Sequence, residues 1–156
     1  MIEIESPVVL RQARLSDALD LAELRFASLV EMALLPQPER GEFVPKAARE
    51  IFTLMREERL AAWLLVHEGS VAGCACVVLW NRLPYAKTSM HAEISGVYVV
   101  PALRRRGYAS ELAREALATA RGWGVRKIVL SSSPRAREMY RRLGFADETQ
   151  MVMRLS

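Results

Sequence analysis

The segment VYVVPALRRRGYAS, Val97 to Ser110, places a buried-type strand, a proline and three arginines directly before a glycine and a helical pattern. The first turn of a helix has backbone N–H groups without partners and partial positive charge, so it binds phosphates well. Gly107 lets a ligand approach the backbone, and Ala109 keeps the next turn small. Formal charge is added there by three side chains: Arg104, Arg105 and Arg106. The segment therefore predicts a phosphate or pyrophosphate site, with a solvated basic loop as the alternative.

Downstream of this segment the pattern predicts a helix, a strand, a second helix and a last strand. The first helix ends near Gly122 and Gly124 and shows apolar residues at helical spacing: Tyr108, Leu112, Ala113, Ala116, Leu117 and Ala120. KIVLSS (127–132) is typical of a short buried strand. Ser133 and Pro134 are expected as N-cap and first residue of the next helix, whose inward residues are Ala136, Met139, Tyr140 and Leu143. Gly144 closes that helix, and MVMRL (151–155) predicts a final strand.

Upstream, the chain predicts one strand, two helices and three strands. VVLRQA (8–13) is followed by Ser16 and Asp17 as N-cap candidates of a helix that runs to about Met32. LLPQPERGEFVP (34–45) is expected to be a loop before a second helix over 46–59. A hairpin over 61–80 with its turn at Gly69 and Ser70, a loop over 81–90 and a strand over 91–100 complete this half. This order indicates a mixed α+β sheet rather than a doubly wound one.

Composition is that of a globular protein: 51% of the 156 residues are apolar and 26% are charged. The length predicts a single domain over residues 1–156, and no apolar run approaches the roughly 18 residues of a membrane span, so a soluble, cytoplasmic protein is expected. Cys74 and Cys76 lie on one face of a strand and are interpreted as reduced core thiols, because no further ligands complete a metal site. The net charge of +4 suits an anionic ligand and does not by itself indicate nucleic acid.

Two ordered motifs make the chain resemble the GNAT superfamily of N-acetyltransferases. RRRGYA (104–109) matches the pattern Q/R-x-x-G-x-G/A at its first, fourth and sixth positions. SPRAREMYRRLGF (133–145) matches N-x-x-A-x-x-x-Y followed by G-F, except that Ser133 replaces the usual Asn. The resemblance implies a GNAT-type α+β fold, in which a mixed, mostly antiparallel central sheet of about six to seven strands is flanked by about four helices.

The resemblance also implies an activity and its participants. Acetyl-CoA would be the co-substrate, its pyrophosphate held by the backbone of residues 104–109, and the acetyl group would pass directly to a primary amine. Tyr140 would protonate the leaving thiolate, because a phenol stays protonated at neutral pH. Glu93 is similar in position to the glutamate that draws a proton through water in histone acetyltransferases of the superfamily, with ordered water alone as the alternative. Backbone groups that contact the pantetheine and the acetyl carbonyl are expected by position from three residues: Val97, Tyr98 and Val99.

Several alternatives stay open at this stage. Ser133 either bonds the pantetheine or only caps the helix. A small-molecule or peptide amine is the expected acceptor, held near the first two helices and the loop over 81–90, where the following carboxylates and aromatics occur: Glu31, Glu39, Glu42, Phe43, Trp80 and Tyr85. The competing functions are a non-catalytic acyl-CoA sensor and a nucleic-acid module; the latter predicts exposed aromatics among the basic residues, and Tyr108 and Trp123 lie instead on or beside an apolar helix stripe. A homodimer is possible on family grounds.

Overall fold

The computed structural model describes residues 6–85 and 88–156, with side chains described for 6–81 and 90–156. Five strands of these residues form one sheet in chain order: β1 (Val8–Gln12), β2 (Leu60–His67), β3 (Ser70–Tyr85), β4 (Thr88–Val99) and β5 (Ile128–Val129). The first four strands pair antiparallel, and β4 pairs with β5 in parallel. The mixed α+β class with a mostly antiparallel sheet is thereby confirmed.

Four α-helices accompany the sheet: α1 (Ala18–Glu31), α2 (Arg40–Arg56), α3 (Tyr108–Gly122) and α4 (Arg137–Arg142). The α3 stripe is as predicted, since Leu112, Ala113, Ala116, Leu117 and Ala120 are all buried. None of the helices within the described ranges has the length and apolarity needed to cross a membrane.

The two faces of the sheet are covered by different helices. On one face α3 packs through Leu112 and Ala116 against Leu65, Val77 and residues of β4. On the other face α1 packs against Leu64 and Cys74. Neighbouring residues of a strand point to opposite faces, which is why Leu64 and Leu65 belong to different sides of the core.

The β2–β3 hairpin is built on a two-residue turn. Glu68 and Gly69 both have positive φ, at 52° and 76°. Two such residues are typical of the type I′ turn, whose twist matches that of the flanking strands. The expected hairpin is therefore confirmed, but its turn lies one residue earlier than the expected Gly69 and Ser70.

The expected loop over 34–45 is wrong in its second half. Residues Gln37–Glu39 form a 3-10 turn, and α2 begins at Arg40 and contains Pro45. Proline removes one backbone hydrogen bond, but Val44 is 4% exposed and packs with Ala22 and Phe26 of α1. Burial of this apolar face offsets the lost bond, so tertiary packing overrides the local signal.

The expected loop over 81–90 is also corrected, because β3 continues to Tyr85 and β4 starts at Thr88. Ala86 and Lys87, within that loop, lie outside the described residues. The final strand over 151–155 is wrong as well: these residues are in no strand, and Met151 is 95% exposed. The described residues therefore form five strands rather than six to seven.

An ion pair fixes the start of α1 to β1. Arg11 donates from Nη1 and Nη2 to the two carboxylate oxygens of Asp17, at 2.8 and 2.9 Å. The backbone N–H of Arg14 donates to Asp17 Oδ2 at 2.7 Å. Asp17 is 7% exposed, and the hydrogen bonds from Arg11 lower its carboxyl pKa to about 2. Asp17 therefore anchors α1 through its ionised form.

Candidate functional site

The predicted phosphate site lies where β4 passes into α3. A 3-10 turn over Pro101–Leu103 follows the strand, and Gly107 is the N-cap of α3 with φ of 84°. The first bond of the helix runs from the Glu111 N–H to the Gly107 carbonyl at 3.2 Å. The N–H groups of Tyr108 and Ala109 therefore precede the first intrahelical donor and point out of the helix end.

Space around this helix end suits a ligand. A Cβ at Gly107 would meet no atom within 4 Å. Arg105 and Arg106 are exposed beside it, and Arg105 itself has φ of 64°. A side chain at position 107 would be strained by the positive φ and would enter open space beside the start of α3.

Arg104 has a different environment from the two arginines that follow it. Its Nη1 and Nη2 donate to the two carboxylate oxygens of Glu31, each at 2.6 Å, and its Nε donates to the Val99 carbonyl at 2.8 Å. The guanidinium also lies 5.4 Å from the ring centroid of Tyr98. Hydrogen bonding to Arg104 lowers the pKa of Glu31, and burial raises the pKa of Tyr98. The Arg104 side chain thus joins the end of β4 to the end of α1.

A β-bulge interrupts β4 just before the predicted cofactor strand. Cys74 pairs with Tyr98 but Cys76 pairs with Ser95, so β4 contains one residue more than β3 over this interval. Gly96 has φ of 65° within the bulge, and its carbonyl accepts a hydrogen bond from the Cys74 thiol at 3.1 Å. The extra residue leaves backbone groups outside the regular ladder.

The bulge also changes which side chains face which helix. Before it, Ala92 and Ile94 belong to the α3 side of the core; after it, Val97 and Val99 do. Tyr98 packs instead on the α1 side. The extra residue at 95–97 therefore reverses the alternation of side chains: even-numbered residues face α3 before the bulge, and odd-numbered residues face α3 after it.

β4 and β5 are paired over a short distance only. The pairs are Ala92 with Ile128 and Glu93 with Val129, and β5 itself ends at Val129. Residues Val97, Tyr98 and Val99 therefore lie beyond the paired part of this edge. The side of β4 that faces β5 is therefore without a paired strand at these three residues within the described part of the chain.

Tyr140 lies on α4 in the interior. It is 8% exposed, and its ring meets the Phe145 ring edge-on with centroids 5.9 Å apart. Phe145 packs in the same core cluster as Tyr108 and Ala109 at the start of α3. Burial raises the pKa of the Tyr140 hydroxyl, which keeps it protonated at neutral pH.

Glu93 and His91 lie on the β4 face opposite to Ala92 and Ile94, which is the α1 side. Glu93 is half-buried and His91 is 8% exposed. Glu93 therefore lies on the same face of the sheet as Tyr98, but Glu93 comes before the bulge and Tyr98 after it. Glu93 lies on β4 and Tyr140 on α4, so the two candidate catalytic side chains come from different elements.

Ser133 is exposed, and its hydroxyl accepts a bond from the Ala136 N–H at 3.3 Å. The helix expected to start at Pro134 starts instead at Arg137, so the Ser133 bond closes a turn before α4. The arginines of α4 are engaged with carboxylates: Arg137 and Arg141 with Asp147, and Arg142 with Glu138.

The carboxylates and aromatics expected around an acceptor are partly occupied. Glu31 binds Arg104, and the Phe43 ring packs against Phe26 at 5.7 Å. The side chain of Tyr85 lies outside the described ones. Cys74 and Cys76 are free thiols, and among the described residues no three His, Cys, Asp or Glu side chains are placed to hold a metal ion.

Two residues of this region were missed by the sequence reasoning. Gly96 carried a usable signal, because an isolated glycine in a strand often marks a bulge. Arg25, on α1, reaches over Gly96: its Nη1 lies 3.8 Å from where a Cβ on Gly96 would stand. Only the packing of α1 on the sheet reveals that proximity, since no motif contains Arg25.

Comparison with known proteins agrees with this architecture. A predicted acetyltransferase with acetyl-CoA from Clostridium acetobutylicum superposes with a TM-score of 0.85 at 20% identity, covering 96% of each chain. A GCN5-related N-acetyltransferase from Ralstonia eutropha gives 0.84 at 18% identity, covering 96% of this chain and 99% of that one. An aminoglycoside N-acetyltransferase in complex with CoA gives 0.70 at 20% identity, covering 100% and 99%.

At these identities the solved structures establish the fold alone. No curated protein matches the chain. The profile of the acetyltransferase (GNAT) family matches residues 26–145. This range contains the candidate phosphate site at residues 104–109, called the cradle below, together with the bulge at Gly96 and Tyr140. The chain therefore belongs to the acetyltransferase (GNAT) family.

Proposed function

We propose that the protein transfers an acetyl group from acetyl-CoA directly to a primary amine. The observation that carries this proposal is the N-terminus of α3, where Gly107 leaves outward-pointing amides shortly after the bulged strand β4. Membership of the GNAT family supports the reaction class. Structures of relatives with acetyl-CoA or CoA support the choice of co-substrate.

The cradle and the neighbouring part of β4 would bind acetyl-CoA. The amides of Tyr108 and Ala109 would donate to the pyrophosphate oxygens, and Arg105 and Arg106 would add charge at the exposed side. The backbone of Val97, Tyr98 and Val99 would pair with the pantetheine amides along the open edge of β4. Arg104 would act by holding the end of the strand to α1, since its guanidinium is already bonded to Glu31 and Val99.

The chain's own groups then handle charge and protons. Acetyl-CoA supplies an acetyl carbon activated as a thioester. Amides at the bulge would stabilise the negative charge that develops on the carbonyl oxygen when the amine nitrogen attacks. The carbon–sulfur bond breaks, and the buried Tyr140 hydroxyl would give its proton to the thiolate. Glu93, on the α1 side, would accept the amine proton through water.

Isothermal titration of acetyl-CoA tests the cradle. Gly107→Trp fills the space before the amides and should abolish binding. Gly107→Ala has the same unfavourable φ with little bulk and should retain most of it. Gly41→Trp adds the same side chain at a helical glycine with no atom within 4 Å, so it should bind as the wild type does. Circular dichroism verifies the folding of each variant.

Each outcome has a meaning. Equal affinity in Gly107→Trp and wild type would refute the cradle. Binding without CoA release, against a broad library of amines, would favour the acyl-CoA sensor over an enzyme. Binding with CoA release and acetylated product supports the proposal.

A further inference from the structure

Arg25 lies over the bulge of β4. It is half-buried on α1, on the helix face shared with the buried Leu21 and Ser28. Its Nη1 and Cδ lie 3.8 and 4.0 Å from the position of a Cβ on Gly96. These are ordinary van der Waals distances, so the Arg25 side chain lies against the bulge.

Two thiols, those of Cys74 and Cys76, lie near the Arg25 guanidinium. The hydrogen bond with the Cys74 thiol, and then the positive charge of Arg25, lower the pKa of Cys76. Three other arginines of the α1 region have carboxylate partners: Arg11 with Asp17, Arg40 with Glu23 and Arg104 with Glu31. Among the side chains that the structure describes, no carboxylate forms a salt bridge with Arg25.

A half-buried guanidinium without a counter-ion is costly, and an anionic ligand removes that cost. The phosphates of the co-substrate do not fit this position, because the cradle at Gly107 lies past the end of β4 and the following turn. The acetyl group is neutral. An anionic partner of Arg25 would therefore belong to the acceptor.

We propose that Arg25 is the specificity residue of the acceptor site, and that the acceptor is a small amine with a carboxylate close to its nitrogen, as in an α-amino acid. This inference rests on the proposed acetyl transfer at the bulge. The guanidinium stands within contact distance of the bulge, so a bound carboxylate lies only a few bonds from the nitrogen that attacks there. A guanidinium binds a carboxylate with two parallel hydrogen bonds, which also fixes the direction of the amine.

The experiment compares two matched sets of acceptors. CoA release is measured with the twenty L-amino acids and with their carboxamides, which keep the amine and side chain and lose the negative charge. The amine of a carboxamide is less basic, so a larger fraction of it is unprotonated and able to attack at neutral pH. Without a carboxylate contact, the amides should therefore react at least as fast as the acids. We expect the best amino acid to exceed its amide by about 100-fold in kcat/KM, the size of a charge-assisted bidentate contact.

Arg25→Met should then raise the KM for that amino acid by roughly 10- to 100-fold while kcat and the rate with the amide change little. Arg25→Lys keeps the charge and should restore part of the affinity. Arg49→Met, on the exposed face of α2, is the matched control and should behave as the wild type. A purely structural role of Arg25 would affect acids and amides equally.

Titration of acetyl-CoA into each variant separates the two proposals. Suppose that acetyl-CoA binds, and that the wild type acetylates amides as fast as acids or acetylates neither set. The carboxylate inference is then overturned, while the co-substrate site stands. An equal loss for both sets in Arg25→Met also overturns it. If acetyl-CoA does not bind to the folded wild type, the acetyl-transfer proposal itself fails, and this inference with it. If Arg25→Met does not fold, the ratio of kcat/KM for the acid to that for the amide, measured in the wild type and in Arg25→Lys, still tests the carboxylate inference.

Discussion

Replacement of Asp17 by Asn tests how firmly α1 is anchored above the site. The carboxylate accepts two bonds from Arg11 and one from the Arg14 amide, and it is 7% exposed. Asn has the same shape and keeps one oxygen for the Arg14 amide, so the substitution removes chiefly the charge. Since α1 also carries Arg25 and Glu31, loosening its start affects the residues that lie over β4.

The magnitude follows from the carboxyl pKa, which falls from 3.8 to about 2 on folding. Each pKa unit corresponds to about 1.4 kcal/mol, so the ionised carboxylate contributes about 2 kcal/mol to the free energy of unfolding at pH 7. A lowered folded-state pKa stabilises the protein above the unfolded-state value, and the contribution is lost as the pH falls through the folded-state value. At pH 3 about half remains, or about 1 kcal/mol.

Urea denaturation at pH 7, 4 and 3 measures the difference between wild type and Asp17→Asn. We expect the difference to shrink with falling pH while the slope with urea stays constant. Asp20→Asn, at an exposed position in the first turn of α1, should cost only a few tenths of a kcal/mol. A difference that stays the same from pH 7 to pH 3 would refute the electrostatic explanation, because a lost shape or packing contact does not titrate.

Three further predictions concern the site. Tyr140→Phe should lower kcat about 100-fold with little change in acetyl-CoA affinity, as measured by CoA release and titration; an unchanged kcat would assign the tyrosine to packing alone. Glu93→Gln should lower kcat by about 100-fold with little change in acetyl-CoA affinity, whereas an unaltered kcat would assign proton removal to ordered water. Glu31→Gln weakens the half-exposed pair with Arg104, so unfolding should become easier by about 1 kcal/mol and acetyl-CoA should bind about 3-fold more weakly; Glu39→Gln is the exposed control, and equal affinity in both variants would contradict a link between α1 and the cradle.

The parts of the fold that depend on local pattern were predictable. The stripe from Leu112 to Ala120 has helical spacing over about two turns, and Gly69 marks a hairpin, although its turn lies one residue earlier than expected, at Glu68–Gly69. The helix through Pro45 was not predictable, because its local sequence favours a break and the packing that offsets this preference, as between Val44 and Phe26, is with another helix.

The site was predictable where it depends on the backbone and less so where it depends on long side chains. Gly107 at a helix start follows from its neighbours in sequence. Three consecutive arginines look equivalent in the sequence, yet Arg104 turns back to Glu31 of α1 while Arg105 and Arg106 remain exposed. The partner of a flexible cation depends on distant residues, here 73 positions away, and no short motif contains that information.

The short pairing between β4 and β5 has a consequence for local stability. Two residue pairs join β4 to β5, here called the seam, whereas eight residue pairs join β2 to β3. Opening of the seam therefore breaks few bonds, and its amides should exchange with solvent faster than those of the hairpin. A ligand lodged between the two strands binds only the closed arrangement, so by mass action it suppresses these openings in proportion to its concentration. The co-substrate would thus serve as a removable part of the sheet, and hydrogen exchange at Ile128 and Val129 would report how much of the protein carries it.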